Sequence, residues 1–121
     1  MNTKVLIVED TPANMKLTTL LLEREGYQVL QAENASDGIE LAREHRPGLI
    51  LMDIQLPGMD GLEATRILKT DTVTCAIPVI ALTAFAMKGD EDRIRAAGCD
   101  GYIAKPIQYK TFLAEVKSRL S

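Results

Sequence analysis

Acidic side chains follow two short apolar runs of this 121-residue chain. The run from Lys4 to Val8 is followed by Glu9 and Asp10, and the run from Leu49 to Met52 is followed by Asp53. Short apolar runs are typical of buried parallel strands, and ligands of open α/β sheets bind beyond the carboxyl ends of the strands. We therefore expect the three carboxylates to share one pocket. One like-charge pair at about 4 Å costs about 4 kcal/mol at an effective dielectric of 20, so the pocket requires a metal ion, a lysine or both.

Two more polar groups follow later apolar runs. Thr83 comes after residues 79–82, and Lys105 comes after residues 101–104. A lysine neutralises an acidic cluster and can bind a phosphoryl oxygen, to which a threonine hydroxyl can also donate. Carboxylates with open positions suit Mg²⁺, with Mn²⁺ as a possible substitute, and an aspartate beside such a metal can form an aspartyl phosphate. The pattern therefore predicts phosphoryl transfer onto Asp53.

Strand and helix patterns alternate five times along the chain, which predicts an α/β protein. Strands are expected at 4–8, 27–32, 49–52, 79–82 and 101–104, with a helix after each. Such βα units form a parallel sheet with helices on both faces. We expect a flavodoxin-like (βα)5 fold with a central five-stranded parallel sheet in the order 2-1-3-4-5, which is the strand order known from flavodoxin itself. The switch point of that order lies between strands 1 and 3, where the acids are.

Composition restricts the function classes. The net charge is −3 and 46% of the residues are hydrophobic, which argues against general binding to nucleic acids or anionic membranes. No apolar run approaches the roughly 20 residues of a membrane helix. Cys75 and Cys99 form no CxxC motif, and we expect free buried thiols in a cytoplasmic protein. The length suits a single domain over residues 1–121 with no output domain.

Four segments together resemble the receiver domains of bacterial two-component response regulators. They are Val5–Asp10, Leu51–Gly61, Pro78–Ala84 and Tyr102–Pro106, and the resemblance extends over essentially the whole chain. It implies a phosphorelay signalling switch that acts by altered protein binding and is not an enzyme. Met1 and the end of the chain favour a stand-alone regulator; the alternative is a receiver domain excised from a hybrid histidine kinase or a larger regulator.

The resemblance also implies a role for each candidate site residue. Asp53 would accept the phosphoryl group from a histidine. The metal ligands would be Glu9, Asp10, Asp53 and the Gln55 main-chain carbonyl, with Glu9 standing where many relatives have aspartate. The phosphoryl group would be bound by Thr83, the Ala84 backbone N–H and Lys105, whose bond to Pro106 is expected to be cis. On phosphorylation Thr83 would move inward, and the switch aromatic Tyr102 would rotate into the space behind it.

Partners are implied in the same way. The phosphoryl donor would be a histidine kinase or a histidine phosphotransferase. A downstream protein, such as a kinase or another regulator, would bind the face formed by the fourth helix, fifth strand and fifth helix. Residues expected on that face are Met87, Arg93, Tyr102, Tyr109 and Lys110. No nucleic acid or membrane insertion is expected, and the protein would be a monomer or weak dimer.

A bulky residue lies close to the expected phosphoryl site in sequence. Phe85 stands two residues after Thr83, a position that in receivers influences access of the hydrolysing water. We hypothesise that Phe85 slows dephosphorylation.

Two other functions fit the same residues less well. A metal-dependent phosphohydrolase with an aspartyl-phosphate intermediate usually needs a second acid two residues after the nucleophile, and that position is Gln55. A flavin-binding module needs a phosphate loop after strand 1, where Glu9 and Asp10 would repel the phosphate. Both are therefore less favoured than the switch.

Overall fold

A computed structural model of the protein describes residues 3–84 and 88–120, and for residues 88–90 the backbone alone. Within these residues strands and helices alternate as predicted. The strands are β1 Lys4–Val8, β2 Gln28–Ala32, β3 Leu49–Asp53, β4 Val79–Thr83 and β5 Gly101–Ala104. The helices are α1 Pro12–Arg24, α2 Ala35–His45, α3 Gly61–Thr70, α4 Lys88–Ala96 and α5 Tyr109–Leu120. The α/β prediction is confirmed, and the strand boundaries differ from the expected ones by at most one residue.

The sheet is parallel, and its order β2-β1-β3-β4-β5 confirms the predicted topology. In register, Val8 of β1 lies beside Met52 of β3, and Thr83 of β4 lies beside Ala104 of β5. All strands therefore end at one edge of the sheet. The residues that end or follow them are brought to that edge whatever their separation in sequence.

Helices cover both faces of the sheet, because the side chains of each strand alternate between two cores. Leu6 and Val8 pack with buried residues of α2, α3 and α4, whereas Val5 and Ile7 pack with buried residues of α1 and α5. Phe112 of α5 is the bulkiest side chain of the second core and is fully buried. The two cores fix the sheet, and the sheet in turn fixes the edge that carries the polar groups.

Side-chain caps set the starts of two helices. Asn34 Oδ1 accepts a hydrogen bond of 2.8 Å from the Asp37 N–H at the start of α2. Asp60 Oδ1 accepts one of the same length from the Glu63 N–H at the start of α3. Such caps satisfy amide groups that have no partner within the helix. Thr11 occupies the cap position of α1, but its side chain makes no capping bond.

An ion pair between Lys69 and Asp100 lies at the edge of the sheet opposite the acids. Lys69 Nζ donates to Asp100 Oδ2 at 2.9 Å and to the Ile77 carbonyl at 2.8 Å. Asp100 Oδ2 also accepts from the Val79 N–H at 2.8 Å. Burial tends to raise the pKa of Asp100, but these hydrogen bonds and the Lys69 charge outweigh it and hold the pKa below its ordinary value. The pair joins α3 to the start of β4 and to the turn before β5.

The two cysteines have different environments, so the expectation that both are buried was wrong for one of them. Cys99 is buried, and burial raises the pKa of its thiol. Cys75 is exposed because it lies in the turn-rich segment between α3 and β4, which packs only part of its side chains inward. Both are free thiols.

The helices of the described ranges are all too short or too polar for a bilayer. None of those within residues 3–84 and 88–120 combines the length and the apolar character needed to cross a membrane.

Candidate functional site

The carboxyl-terminal edge of the sheet gathers the polar residues singled out in the sequence. Glu9 and Asp10 follow β1, Asp53 ends β3, Thr83 ends β4 and Lys105 follows β5. Glu9, Asp53 and Thr83 are buried, whereas Asp10 is exposed. Residues 96 positions apart, Glu9 and Lys105, are in direct contact. The topology therefore brings these groups into one site, as the strand pattern predicted.

Lys105 forms the centre of this site. Its Nζ atom lies 3.0 Å from Asp53 Oδ2, and 3.2 and 3.4 Å from the two carboxylate oxygens of Glu9. Burial by itself lowers the pKa of Lys105, but the hydrogen bonds and charges of Asp53 and Glu9 outweigh it, so the pKa is raised above its ordinary value. The ammonium group is therefore charged at neutral pH and bridges the two buried carboxylates.

Glu9 carries a carboxylate that is almost completely buried, with 1% of the residue exposed. Burial raises its pKa, and the neighbouring Asp53 raises it further. The hydrogen bond from Asn14 Nδ2, 3.0 Å from Glu9 Oε1, and the charge of Lys105 act in the opposite direction without cancelling the increase. The site thus holds more negative charge than a single lysine neutralises.

Asp53 is held by its own backbone neighbourhood as well as by Lys105. Its Oδ1 atom accepts a hydrogen bond of 2.9 Å from the Gln55 N–H. Gly61, the first residue of α3, packs so tightly against the end of β3 that a Cβ there would overlap the Asp53 carbonyl oxygen. The Gln55 bond orients the carboxylate, and the Gly61 contact lets α3 begin close to the end of β3.

The three acids together could hold a metal ion. One carboxylate oxygen from each of Glu9, Asp10 and Asp53 can be chosen so that all three lie within 4.8 Å of one another. Oxygen ligands of this kind fit a hard cation such as Mg²⁺, which keeps several waters and takes one or two carboxylates. Exposed Asp10 leaves the cluster open to solvent on one side.

Thr83 and Lys105 are linked through the backbone. The Lys105 N–H donates to the Thr83 carbonyl at 2.7 Å, and the Lys105–Pro106 bond is cis, as the resemblance implied. The Thr83 side chain is buried and the adjacent Ala84 is exposed. Tyr102, three residues before Lys105, is half-buried and packs against the core on the side of α4.

Two predicted roles belong to residues outside the described ranges. Phe85 and Met87 lie outside the described residues. The expected effect of Phe85 on dephosphorylation and the place of Met87 in a partner surface therefore stay predictions.

Asn14 is the site residue that sequence reasoning missed. It lies in the first turn of α1, and its amide contacts Glu9. An amide five residues beyond an acid is a weak sequence signal, since the contact depends on how α1 folds back over the end of β1. The structure alone reveals it.

An apolar opening borders Lys105. A cavity of about 360 Å³ is lined by Asn14, Leu17, Ala84, Lys105, Pro106 and Ile107. Leu17 is 46% exposed, and Leu20, one turn further along α1, is 53% exposed. The reactive groups are therefore bordered by an apolar surface that solvent reaches.

Comparison with known proteins identifies a family that fits the observed fold. Residues 5–117 match the family model of the response regulator receiver domain. The polar-differentiation response regulator DivK of Brucella anthropi is 56% identical over 116 residues, which are 96% of this chain and 94% of the relative.

Solved structures give the same result. The receiver domain of sensor histidine kinase PA1611 from Pseudomonas aeruginosa, with a magnesium ion coordinated in its active site cleft, superposes with a TM-score of 0.92 at 32% identity, covering 99% of this chain and 98% of that one. A putative response regulator from Chloroflexus aurantiacus superposes with a TM-score of 0.95 at 26% identity and the same coverage.

The family determines the class of function. Response regulator receiver domains are phosphorylation-dependent switches, not enzymes, which contradicts the phosphohydrolase alternative. The family model covers residues 5–117, and the fold superposes on a solved receiver domain that is 32% identical. The chain belongs to the response regulator receiver domain family.

Proposed function

We propose that this protein is a phospho-accepting switch of a two-component phosphorelay, in which Asp53 receives a phosphoryl group from a histidine kinase or a histidine phosphotransferase. The observation that carries this proposal is the position of Lys105 Nζ, 3.0 Å from Asp53 and 3.2 Å from Glu9 in a buried site. An ammonium group beside the acceptor carboxylate is placed to bind the oxygens of an incoming phosphoryl group.

The transfer itself breaks one bond and forms another. An oxygen of Asp53 attacks phosphorus, the bond from phosphorus to the donor histidine nitrogen breaks, and its electron pair stays on that nitrogen, which then takes up a proton. Lys105 moves part of its hydrogen bonding from the carboxylates to the phosphoryl oxygens. The Thr83 hydroxyl and the Ala84 N–H are proposed to donate to the same oxygens.

A divalent metal is part of the proposal. Glu9, Asp10, Asp53 and the Gln55 main-chain carbonyl would hold Mg²⁺, and Mn²⁺ could replace it. When bound, the ion supplies positive charge that offsets the crowded acids and the phosphoryl oxygens. The acidic cluster supports this assignment, since its oxygens lie within 4.8 Å of one another.

The phosphodonor is proposed to dock over α1. Exposed Leu17 and the apolar opening it shares with Pro106 and Ile107 lie directly beside Lys105. A partner that seats an apolar helix face there would bring its histidine to Asp53 and exclude water from the reaction.

The output is proposed to be altered binding of a downstream protein. Tyr102 would change position when Thr83 engages the phosphoryl group, and both residues lie on adjacent strands, β5 and β4. The receiving surface would be the α4–β5–α5 face with Arg93, Tyr109 and Lys110, of which Tyr109 is 56% exposed. Phosphorylation would then shift an existing equilibrium between two arrangements.

Domain organisation, oligomeric state and cellular compartment are also proposed. We propose one receiver domain over residues 1–121, acting as a monomer or weak dimer in the cytoplasm. The free thiols of Cys75 and Cys99 support a reducing compartment.

Labelling with acetyl phosphate and Mg²⁺ tests the proposal without needing the cognate kinase. Intact-mass measurement should show one added phosphoryl group in the wild type and none in Asp53→Asn. The matched control is Asp60→Asn, which removes a nearby carboxylate but keeps the oxygen that caps α3. Labelling of Asp53→Asn, or the absence of a label on the wild type and control together, would contradict the proposal.

A second experiment examines the output. Pull-downs with phosphorylated and unphosphorylated protein should retain different partners, and Tyr102→Ala should reduce that difference while still accepting the label. Identical sets of partners in both states would argue against a switch in binding.

A further inference from the structure

The side chain of Glu9 is anchored from two directions. Among the described residues, its carboxylate receives hydrogen bonds from Lys105 and from Asn14. Lys105 approaches both oxygens, at 3.2 and 3.4 Å, and also contacts Asp53. Asn14 Nδ2 contacts Oε1 alone, at 3.0 Å.

The two anchors differ in what they determine. A cation near both oxygens of a carboxylate holds it close but does not distinguish one rotation of the group from another. A directional hydrogen bond to one oxygen does, because its strength falls steeply away from linear geometry. The bond from Asn14 to Oε1 therefore distinguishes the two oxygens of Glu9 and restrains which way the carboxylate turns.

The backbone of Asn14 is placed by the regular start of α1. It lies in the first turn of α1 next to buried Met15, whose N–H donates to the Thr11 carbonyl at 3.0 Å. A glutamate needs such support more than an aspartate does, since its extra rotatable bond adds orientations that folding must restrict.

We propose that Asn14 is a positioning residue that orients the Glu9 carboxylate for Mg²⁺ and so sets the affinity of the metal site. The proposal rests on the proposed function in one respect, the use of Glu9 as a metal ligand. Partners that orient metal ligands typically change metal affinity about 10- to 100-fold when they are lost. Asn14 is partly exposed, so we expect the lower end, about 10-fold.

Titration with MgCl₂ alone, followed by backbone amide NMR shifts of the unphosphorylated protein, measures this affinity directly. Asn14→Leu keeps the approximate shape and removes the donor, and it should weaken Mg²⁺ binding about 10-fold. Ala13→Leu, an exposed change in the same helical turn, is the matched control and should leave the affinity unchanged. Asn14→Ala provides a second variant, and circular dichroism checks that each protein is folded.

A double-mutant cycle separates positioning from a general structural effect. In Glu9→Asp the carboxylate is one methylene shorter, about 1.5 Å, so Asn14 no longer reaches it. Asn14→Leu should then change Mg²⁺ affinity by less than about 2-fold in that background. An equal loss in both backgrounds, or no loss in the wild-type background, would overturn the proposal.

The labelling reaction gives an independent readout. With acetyl phosphate, Asn14→Leu should raise the Mg²⁺ concentration required for half-maximal labelling while the rate at saturating Mg²⁺ stays near that of the wild type. A lowered saturating rate with an unchanged Mg²⁺ requirement would refute the positioning role. Wild-type protein that binds Mg²⁺ but takes no label would count against the proposed function only, because the titration tests Asn14 separately.

Discussion

Replacing Glu9 by glutamine should stabilise the metal-free protein. The buried carboxylate is attracted by Lys105 at 3.2 Å, which corresponds to about 5 kcal/mol at an effective dielectric of 20. It is repelled by Asp53 within 4.8 Å, which corresponds to at least about 3.5 kcal/mol, and taking the charge out of water costs several kcal/mol more. The unfavourable contributions exceed the favourable one, in agreement with a raised pKa of Glu9 whose first cause is burial.

Glutamine keeps part of the favourable contacts. Its carbonyl can still accept from Asn14, and its amide can donate to Asp53, which the carboxylate cannot do. We therefore expect the free energy of unfolding at pH 7 to rise by about 1 to 2 kcal/mol in Glu9→Gln. Glu40→Gln, an exposed change on α2, is the control and should stay within about 0.5 kcal/mol of the wild type.

The pH dependence has a definite sign. An acid whose pKa is raised by folding binds more protons in the native state, so stability falls as the pH rises from the ordinary value of 4.5 through the folded value. The advantage of glutamine should be complete above the raised pKa of Glu9 in the folded protein and should shrink as the pH falls toward 4.5. Urea denaturation in EDTA, followed by circular dichroism at several pH values, measures both quantities.

If Glu9 is a ligand, Mg²⁺ should make the wild type more stable than Glu9→Gln, the reverse of their order in EDTA. A metal ion at a concentration about 100 times its dissociation constant raises the free energy of unfolding by about 2.7 kcal/mol. Glu9→Gln should bind the ion more weakly and therefore gain less stability. A Glu9→Gln protein less stable than the wild type in EDTA at pH 7 would refute the electrostatic reasoning.

Three further outcomes are expected. Lys105→Met leaves two buried carboxylates without their cation, so urea denaturation should show a loss of about 3 to 5 kcal/mol, and a loss below about 1 kcal/mol would contradict the buried ion pair. Asp100→Asn weakens the hydrogen bonds from Lys69 and Val79, so it should cost about 1 to 2 kcal/mol at pH 7. Folding lowers the pKa of Asp100, so this stability difference should disappear as the pH falls below 3.8 through the pKa of the folded protein. Thermal unfolding at several pH values measures it, and a difference that does not change with pH would disprove the ion pair of Asp100 with Lys69. Phe112→Ala empties a fully buried position and should cost about 3 to 5 kcal/mol by urea denaturation, whereas a cost near zero would mean that α5 does not pack as described.

Much of the fold could be read from local patterns. The apolar runs that become β1, β3 and β4 are buried on both faces, and such runs identify central strands of a parallel sheet without further information. Gly26 and Gly98, which adopt positive φ angles, mark the ends of two helices. Helix starts were harder to place, because both Asn34 and Ser36 have side chains that can cap α2 and only the contact with Asp37 decides between them.

Side-chain exposure was harder to predict from the same patterns. Leu17 and Leu20 fit an apolar helix, yet both are exposed on α1, since the groove beside them has no neighbouring element of this chain over it in the described residues. Periodicity identifies the helix but not which of its apolar residues the rest of the fold covers. The exposed pair instead lies beside the site, where a partner is proposed to bind.

The sequence by itself determined which chemical groups the site contains. Acids, a threonine and a lysine at the ends of consecutive strands must meet at one edge of a parallel sheet, because all strands of such a sheet run in the same direction. The tertiary structure decided how they interact: Lys105 bridges Glu9 and Asp53, Asp10 stays exposed, and Asn14 reaches Glu9 from α1. Those contacts depend on burial and on distances of a few ångströms between distant segments, which spacing along the chain does not specify.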